Sequence, residues 1–302
     1  MPIPELTFSV PGEPVLTFQP VVDLADGRLL GMEALIRWKH PRLGQIGPDR
    51  LLPMAKSHGD IVQLNQWVLA AACSQASDWS PSVQLAVNCH TSQLRNGAAV
   101  RAVYSALESS GLGSSQLTLE ISETTASDEE AVLDLRALTA MGVLLAVDDV
   151  GTAWSSFEPI RRLKVDIVKI DRSFISGLEK GEGVNRMVVE SVVHLAHSCG
   201  MSAIVEGVET AHQVALARQF GADGAQGFFF ARPLSAEEAT ALAAAPVVPR
   251  YSRSEPLTLL PGRWPGGGRK GGDPGKPARA GGKPPKAGSS KRISSSSGKS
   301  RA

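Results

Sequence analysis

The chain has 302 residues, 42% hydrophobic and 20% charged, enough apolar material for one large domain or two small ones. Its formal net charge of +1 hides a division: from Arg250 onward stand 13 Lys and Arg against two Asp and Glu, leaving 18 basic and 28 acidic residues before them. No apolar run reaches the roughly 18–20 residues of a membrane span, Met1 to Glu5 opens no secretory signal, and three scattered cysteines (Cys73, Cys89, Cys199) exclude a disulfide framework or thiolate metal site, so a reducing cytoplasm is the expected location.

Residues 1–14 read as a short extension, 15–245 as the folded body and 246–302 as a basic tail. The tail is rich in Gly, Pro, Ser, Lys and Arg, as in Gly266-Gly267-Gly268-Arg269-Lys270 and Lys283-Pro284-Pro285-Lys286. It buries too little apolar area to offset its chain entropy and is expected to be disordered. Three readings stand for it: a solvated polycation, a contact with nucleic acid or an anionic membrane surface, and a tether for a protein partner.

The body alternates strand-like and helix-like runs. The strand-like runs are Thr17–Val22, Met32–Trp38, Val83–Asn88, Leu117–Ser122, Val143–Asp148, Ile167–Asp171, Ala203–Val208 and Gly224–Phe230, most of them rich in Val, Ile, Leu or Phe. Helical patterns cover Asp49–Ser57, Ile61–Trp79, Gly97–Ser109, Asp128–Met141, Ser173–Ser198, Ala211–Phe220 and Ala236–Ala244. Capping boxes are expected at Ser127–Glu130, Thr210–Gln213 and Ser235–Glu238, and helix-ending glycines at Gly142, Gly200 and Gly221. Asp26-Gly27 is a hairpin signal that would set the first strand antiparallel to the second. Eight strands alternating with helices predict an α/β fold of the (β/α)₈ barrel type. A doubly wound sheet would want a glycine-rich phosphate turn, and neither GxGxxG nor GxxxxGK[ST] occurs.

Polar residues at the strand ends carry the chemistry. Glu33, Asn88, Glu120, Asp148, Asp149, Lys169, Asp171, Glu206 and Gln226 fall at or near the C-terminal ends, with Glu123 and Glu209 just beyond. A barrel converges those ends on one face. Six carboxylates around one mouth would repel, and hard divalent cations such as Mg²⁺ or Mn²⁺ relieve that repulsion through oxygen ligands. Adjacent Asp148 and Asp149 suit a two-metal clamp on a phosphodiester, with Lys169 at the attacking water or the phosphoryl charge. The run Phe228-Phe229-Phe230 reads as barrel core, Cys89 as packing, and His194 and His197 as a helix surface.

The ordered motifs resemble the EAL family, which hydrolyses cyclic di-GMP. They are Phe18-Gln19-Pro20-Val21-Val22, Glu33-Ala34-Leu35-Ile36-Arg37-Trp38, Ala86-Val87-Asn88, Leu119-Glu120-Ile121-Ser122-Glu123, Asp148-Asp149-Val150-Gly151-Thr152, Val168-Lys169-Ile170-Asp171, Val205-Glu206-Gly207-Val208-Glu209 and Ala225-Gln226-Gly227-Phe228. The resemblance implies Glu33, Asn88, Glu120 and Asp148 as ligands of a first metal and Asp148 and Asp149 of a second, with Glu206 and Asp171 nearby. It implies Lys169 at the nucleophilic water and Gln226 completing the site. Gln19, the backbone of Leu35 and Arg37 would bind substrate, Glu123 would steady the loop after the fifth strand, and Glu209 would support the site. A homodimer and the product pGpG follow from the same resemblance. The chain departs from the usual DDFGTGYSS at Val150, Ala153 and Trp154, and places Lys56 where many members are acidic; every metal ligand is kept, so activity is expected. The alternative is a receptor for cyclic di-GMP, or an interaction module, on the same barrel.

Overall fold

The structure, a computed structural model, describes residues 11–150, 163–178 and 183–244. Nine strands form one sheet: β1 (Glu13–Asp23), β2 (Leu29–His40), β3 (Gly44–Ile46), β4 (Gln84–Asn88), β5 (Leu117–Ser122), β6 (Leu144–Val150), β7 (Ile167–Ile170), β8 (Ser202–Val205) and β9 (Gly224–Gln226). The sheet runs β1-β9-β8-β7-β6-β5-β4-β2-β3, and a further β1–β2 pairing closes it into a ring of eight. Strand β3, absent from the sequence reading, is an outrigger paired with β2 outside that ring.

The ring is parallel from β2 to β9. Strand β1 is antiparallel to both its neighbours, as the Asp26-Gly27 turn predicts. Asp23 fixes that turn by accepting from the amides of Ala25 and Asp26 at 2.6 and 3.3 Å.

The helices lie around the ring: α1 (Pro48–His58), α2 (Ile61–Ala76), α3 (Ala98–Ser110), α4 (Glu123–Ala126), α5 (Glu129–Ala140), α6 (Arg172–Leu178), α7 (Gly183–Ser198), α8 (Ala211–Gln219) and α9 (Ala236–Ala244). Thr210 and Gln213 form the expected capping box on α8, and Ser235 and Glu238 exchange the same pair of bonds ahead of α9. The box expected at Ser127 is displaced: Asp128 caps α5, accepting from the amides of Glu130 and Ala131. A carboxylate one residue closer to the helix wins over the serine hydroxyl. The single helix expected over Ser173–Ser198 is two, α6 and α7, with residues 179–182 between them. The glycine-bearing run Gly177 to Gly183 sits at that division.

Two further expectations change at the barrel's end. The last strand stops at Gln226 instead of reaching Phe230, because the amides of Phe230 and Ala231 turn back onto the Gly227 carbonyl. Of the three phenylalanines read as core, only Phe230 is buried; Phe229 is half-buried and Phe228 is 45% exposed. The expected 246–302 tail and the 1–14 extension lie wholly or mostly outside the described residues. Among the described residues no helix is long and apolar enough to cross a membrane.

Most apolar burial lies between the strands and the helices, in a cluster that includes Leu85, Leu117, Leu119, Leu135 and Val189. The barrel interior holds a far smaller cluster, Val21, Leu30, Ala146, Ile167 and Ile204. Alternation along the strands sends four of these inward one step below a polar residue of the mouth, as Ala146 below Asp148 and Ile167 below Lys169, while Leu30 follows the Val21/Val22 register shift near the start of β2.

Candidate active site

The mouth of the barrel is built by that same alternation. Gln19 and Glu33 face each other across β1 and β2, and Asn88 stands level with Glu120 across β4 and β5. Lys169, 1% exposed, is the centre. Its Nζ lies 2.6 Å from Glu206 Oε1, 2.8 Å from Glu120 Oε1, 3.3 Å from Glu33 Oε2 and 3.8 Å from Asp148 Oδ1. Side-chain amides fill in around the carboxylates. Asn88 donates to Glu33 Oε1 at 2.8 Å and to Glu120 Oε2 at 3.3 Å, and Gln226 donates to Glu33 Oε2 at 2.8 Å and Gln19 Oε1 at 3.3 Å.

One ammonium does not neutralise this many carboxylates. Burial and the neighbouring Glu33 carboxylate push the Glu120 carboxyl well above its ordinary range. Burial lifts Glu206 to about 7, against the pull of Lys169 and with a push from Asp148. Glu33 goes the other way: burial would raise it, but Lys169 and the amides of Gln226 and Asn88 outweigh that and hold it low. Burial would lower Lys169, but Glu120, Glu206, Glu33 and Asp148 together raise it well above the usual ammonium value. The site is therefore short of positive charge.

Consecutive strand residues normally face opposite sides, so Asp148 and Asp149 should diverge. They converge because the β6–β7 register slips between Val147 and Val150 and Asp149 adopts φ +57°. A left-handed aspartate is an uncommon, costly conformation of the kind that gathers at functional sites. Its amide donates to Asp148 Oδ1 at 2.9 Å. Asp148, Asp149 and Glu206 thereby bring one carboxylate oxygen each within 4.8 Å of one another. Burial, Asp148 and Asp171 all push the Asp149 carboxyl upward. Asp171 uses one oxygen to cap α6, accepting from the Ser173 amide at 3.0 Å. Gln226 Oε1 is buried without a hydrogen-bond partner among the described residues. An all-oxygen donor set with an unsatisfied amide oxygen beside it fits hard divalent cations.

An open cleft of about 210 Å³ lies over these groups. Gln19, Glu33, Asp148, Glu206, Glu209 and Gln226 line it, all of them sequence candidates. Leu35 and Arg37 stand higher on β2, off the cleft wall. The Leu35 carbonyl accepts from the Thr17 hydroxyl at 3.3 Å, and Arg37 Nη1 donates to the Ile36 carbonyl at 2.9 Å. Glu123 opens α4, buried, with Oε2 unpartnered among the described residues. The loop it was expected to steady, from Gly151 with Ala153 and Trp154, lies outside the described residues.

Besides Gly207 and Gly227, the cleft is lined by Arg172 and Phe228, whose side chains the sequence reading did not assign to the site. Arg172 fell between the strand ending at Asp171 and the helix expected from Ser173, and Phe228 was hidden in an apolar triplet. The signal available was position, since each lies within two residues of a strand-end candidate. The Arg232 guanidinium stacks on the Phe228 ring at 4.6 Å.

A match to the EAL domain family spans residues 11–233. The chain belongs to the EAL family. Among its relatives in Pseudomonas aeruginosa, the cyclic di-GMP phosphodiesterase NbdA is 36% identical over 225 residues, covering 72% of this chain and 29% of that protein. The bifunctional diguanylate cyclase/cyclic di-GMP phosphodiesterase MucR is 37% identical over 230 residues, covering 74% of this chain and 33% of MucR. The structure of the PaMucR phosphodiesterase in complex with c-di-GMP superposes with a TM-score of 0.71 at 37% identity, covering 74% of this chain and 93% of that one. The EAL chain thus spans about a third or less of the length of these curated relatives.

Proposed function

We propose that this EAL domain is a metal-dependent phosphodiesterase that hydrolyses cyclic di-GMP to linear pGpG. The observation that carries the reading is the convergence of Asp148, Asp149 and Glu206 beside a buried Lys169. Glu33, Asn88, Glu120 and Asp148 would hold one Mg²⁺ or Mn²⁺, and Asp148 and Asp149 a second, with Glu206 and Asp171 close by. Such cations, when bound, supply the missing positive charge and the acidity that activates water for in-line attack.

The chain's own residues then orient and balance. Lys169 is held by its carboxylates at the floor of the cleft, where its ammonium can steady an attacking water or phosphoryl charge. The Glu206 carboxyl, near 7, is suited to exchanging a proton at neutral pH. Gln226 keeps Glu33 in place through its 2.8 Å bond. Gln19, the Leu35 backbone and Arg37 would bind substrate, and the exposed Phe228 ring offers a guanine base a face to stack on. Glu123 and Glu209 support the rim. The homodimer, the cytoplasmic location and a tail contact with nucleic acid or anionic membrane rest on the sequence alone.

The test is cleavage of cyclic di-GMP by the purified chain with Mg²⁺ or Mn²⁺, products separated by chromatography. Metal-dependent pGpG that disappears in Glu33→Ala is the expected result. Saturable binding without turnover would make the protein a receptor, and neither binding nor turnover would remove both readings.

A further inference from the structure

We infer that Arg172 is a specificity-determining residue that binds the phosphate of the cyclic dinucleotide that is not cut. This rests on the phosphodiesterase reading and goes beyond the residues that the motifs assign. Arg172 follows Asp171 at the start of α6, on the rim above β7, and is exposed. Among the described residues lining the cleft it is the one cation, and the other charged ones are Glu33, Asp148, Glu206 and Glu209. Among the described residues its guanidinium makes no ion pair or hydrogen bond, although carboxylates line the same cleft. Lys169, by contrast, is fully engaged by four. An unengaged guanidinium at the edge of an acidic cleft is a ready anion receptor with two parallel donors.

The backbone opposite makes room for it. Gly207, at φ +65°, sits where a Cβ would come within 2.3 Å of Arg172 Cβ. A side chain at 207 would therefore displace the arginine stem from the rim. Gly207 directly follows Glu206, so the turn that presents the carboxylate also admits the arginine. In the ring order β1-β9-β8-β7-β6-β5-β4-β2, strand β7 lies diametrically opposite β2, which carries Arg37.

The substrate's chemistry supplies the rest. A cyclic dinucleotide carries two phosphodiesters on one ring. The one that is cut must lie over Asp148, Asp149 and Glu206. The other is held at a distance from that centre and must still face an acidic wall. A cation on the rim offsets that repulsion, and in this cleft the rim cation is Arg172. The contact discriminates for substrates with a second phosphate and against single diesters.

The experiment compares cyclic di-GMP with bis(p-nitrophenyl) phosphate, a diester with one phosphate, using the full chain with Mn²⁺. Arg172→Ala should lower kcat/KM for cyclic di-GMP by about 10- to 100-fold, mainly through KM. The loss on cyclic di-GMP should exceed that on the small diester by at least about tenfold. Arg172→Lys should recover part of the difference, and it serves together with Arg172→Gln should the alanine variant fold poorly, since both keep a stem against Gly207. Equal losses on both substrates would mean that Arg172 acts on the fold or the metal centre, and equal retention would mean it binds nothing; either overturns the inference. If the unmodified chain neither binds nor cleaves cyclic di-GMP, the phosphodiesterase reading itself falls and takes this inference with it. If it cleaves normally and the two substrates respond alike, only the role of Arg172 falls.

Discussion

The two sides of the barrel wall are built on opposite terms. Outward-facing strand residues such as Leu85, Leu117 and Leu119 are large, apolar and 0–2% exposed, and they meet equally buried residues of the helices, such as Leu135 on α5. Inward-facing residues are charged or amide-bearing at the mouth. Below Lys169 the interior has a small apolar cluster, Val21, Leu30, Ala146, Ile167 and Ile204, with glycines at 31 and 224. A Cβ on Gly31 would come within 2.7 Å of the Gln84 carbonyl, so even an alanine is too large there. Thr118, also inward, is 2% exposed and its hydroxyl has no partner among the described residues. The outer layer supplies the stabilising burial, while the inner layer carries concentrated carboxylate charge that Lys169 alone does not neutralise. The same chain thus separates stability and chemistry by strand alternation alone.

That contrast can be broken most sharply at Lys169. Replacing it with methionine removes the one cation that, among the described residues, pairs with Glu33, Glu120, Asp148 and Glu206. Turnover of cyclic di-GMP should fall by at least about 100-fold. In chelator, the variant should lose about 3 kcal/mol or more in denaturant titrations, because breaking a buried ion cluster strands its carboxylates. A variant that keeps its turnover would show that the interior charge is not organised for catalysis.

The outer side predicts a complementary effect. Leu135→Ala on α5 opens a cavity at a fully buried position and should cost about 3 kcal/mol in urea unfolding. Its kcat per folded molecule should stay within about twofold of the parent, since Leu135 packs in the layer between the strands and the helices. Loss of kcat beyond that would mean the two layers are coupled rather than separate.

The smallest effect is a pH dependence. The folded Glu206 carboxyl titrates near 7, above its ordinary 4.5, so its protonated form is the one folding favours. Its contribution is complete below about pH 4.5 and is lost as pH rises through about 7. The metal-free protein should therefore lose on the order of 2 kcal/mol of stability across that window, read from thermal melts in chelator. Glu206→Gln should flatten the slope, and saturating Mg²⁺ should flatten it in the parent chain. A slope unchanged in Glu206→Gln would assign the titration to another group.

Much of this was legible in the residues. Strand identity came from short Val/Ile/Leu runs bounded by turn signals, and seven of the eight predicted runs lost or gained only ends. Glu33, Glu120 and Lys169 could be placed at the mouth because a charged residue inside an apolar strand has few other reasons to be there. The meeting of Asp148 and Asp149 could not be read, since it depends on a register slip against β7, a strand some 20 residues later in sequence. Phe228 was misjudged because its burial depends on where β9 stops, and that is decided by Gly227 folding against Val208, whose carbonyl would lie 2.1 Å from a Cβ at 227.

The sequence by itself determined the alternation of elements, the antiparallel first hairpin and the roll of polar strand ends, because period, turn residues and local caps act over a few residues. The tertiary structure decided which of those ends share one charge balance, which faces open to the cleft, and that Arg172 stands unengaged on the rim. Closing the ring brings β1 against β9 and Glu33 against Lys169 and Gln226, side chains 136 and 193 residues apart in the chain. Electrostatic coupling depends on distance in space and on burial, and neither is written in any local stretch of residues.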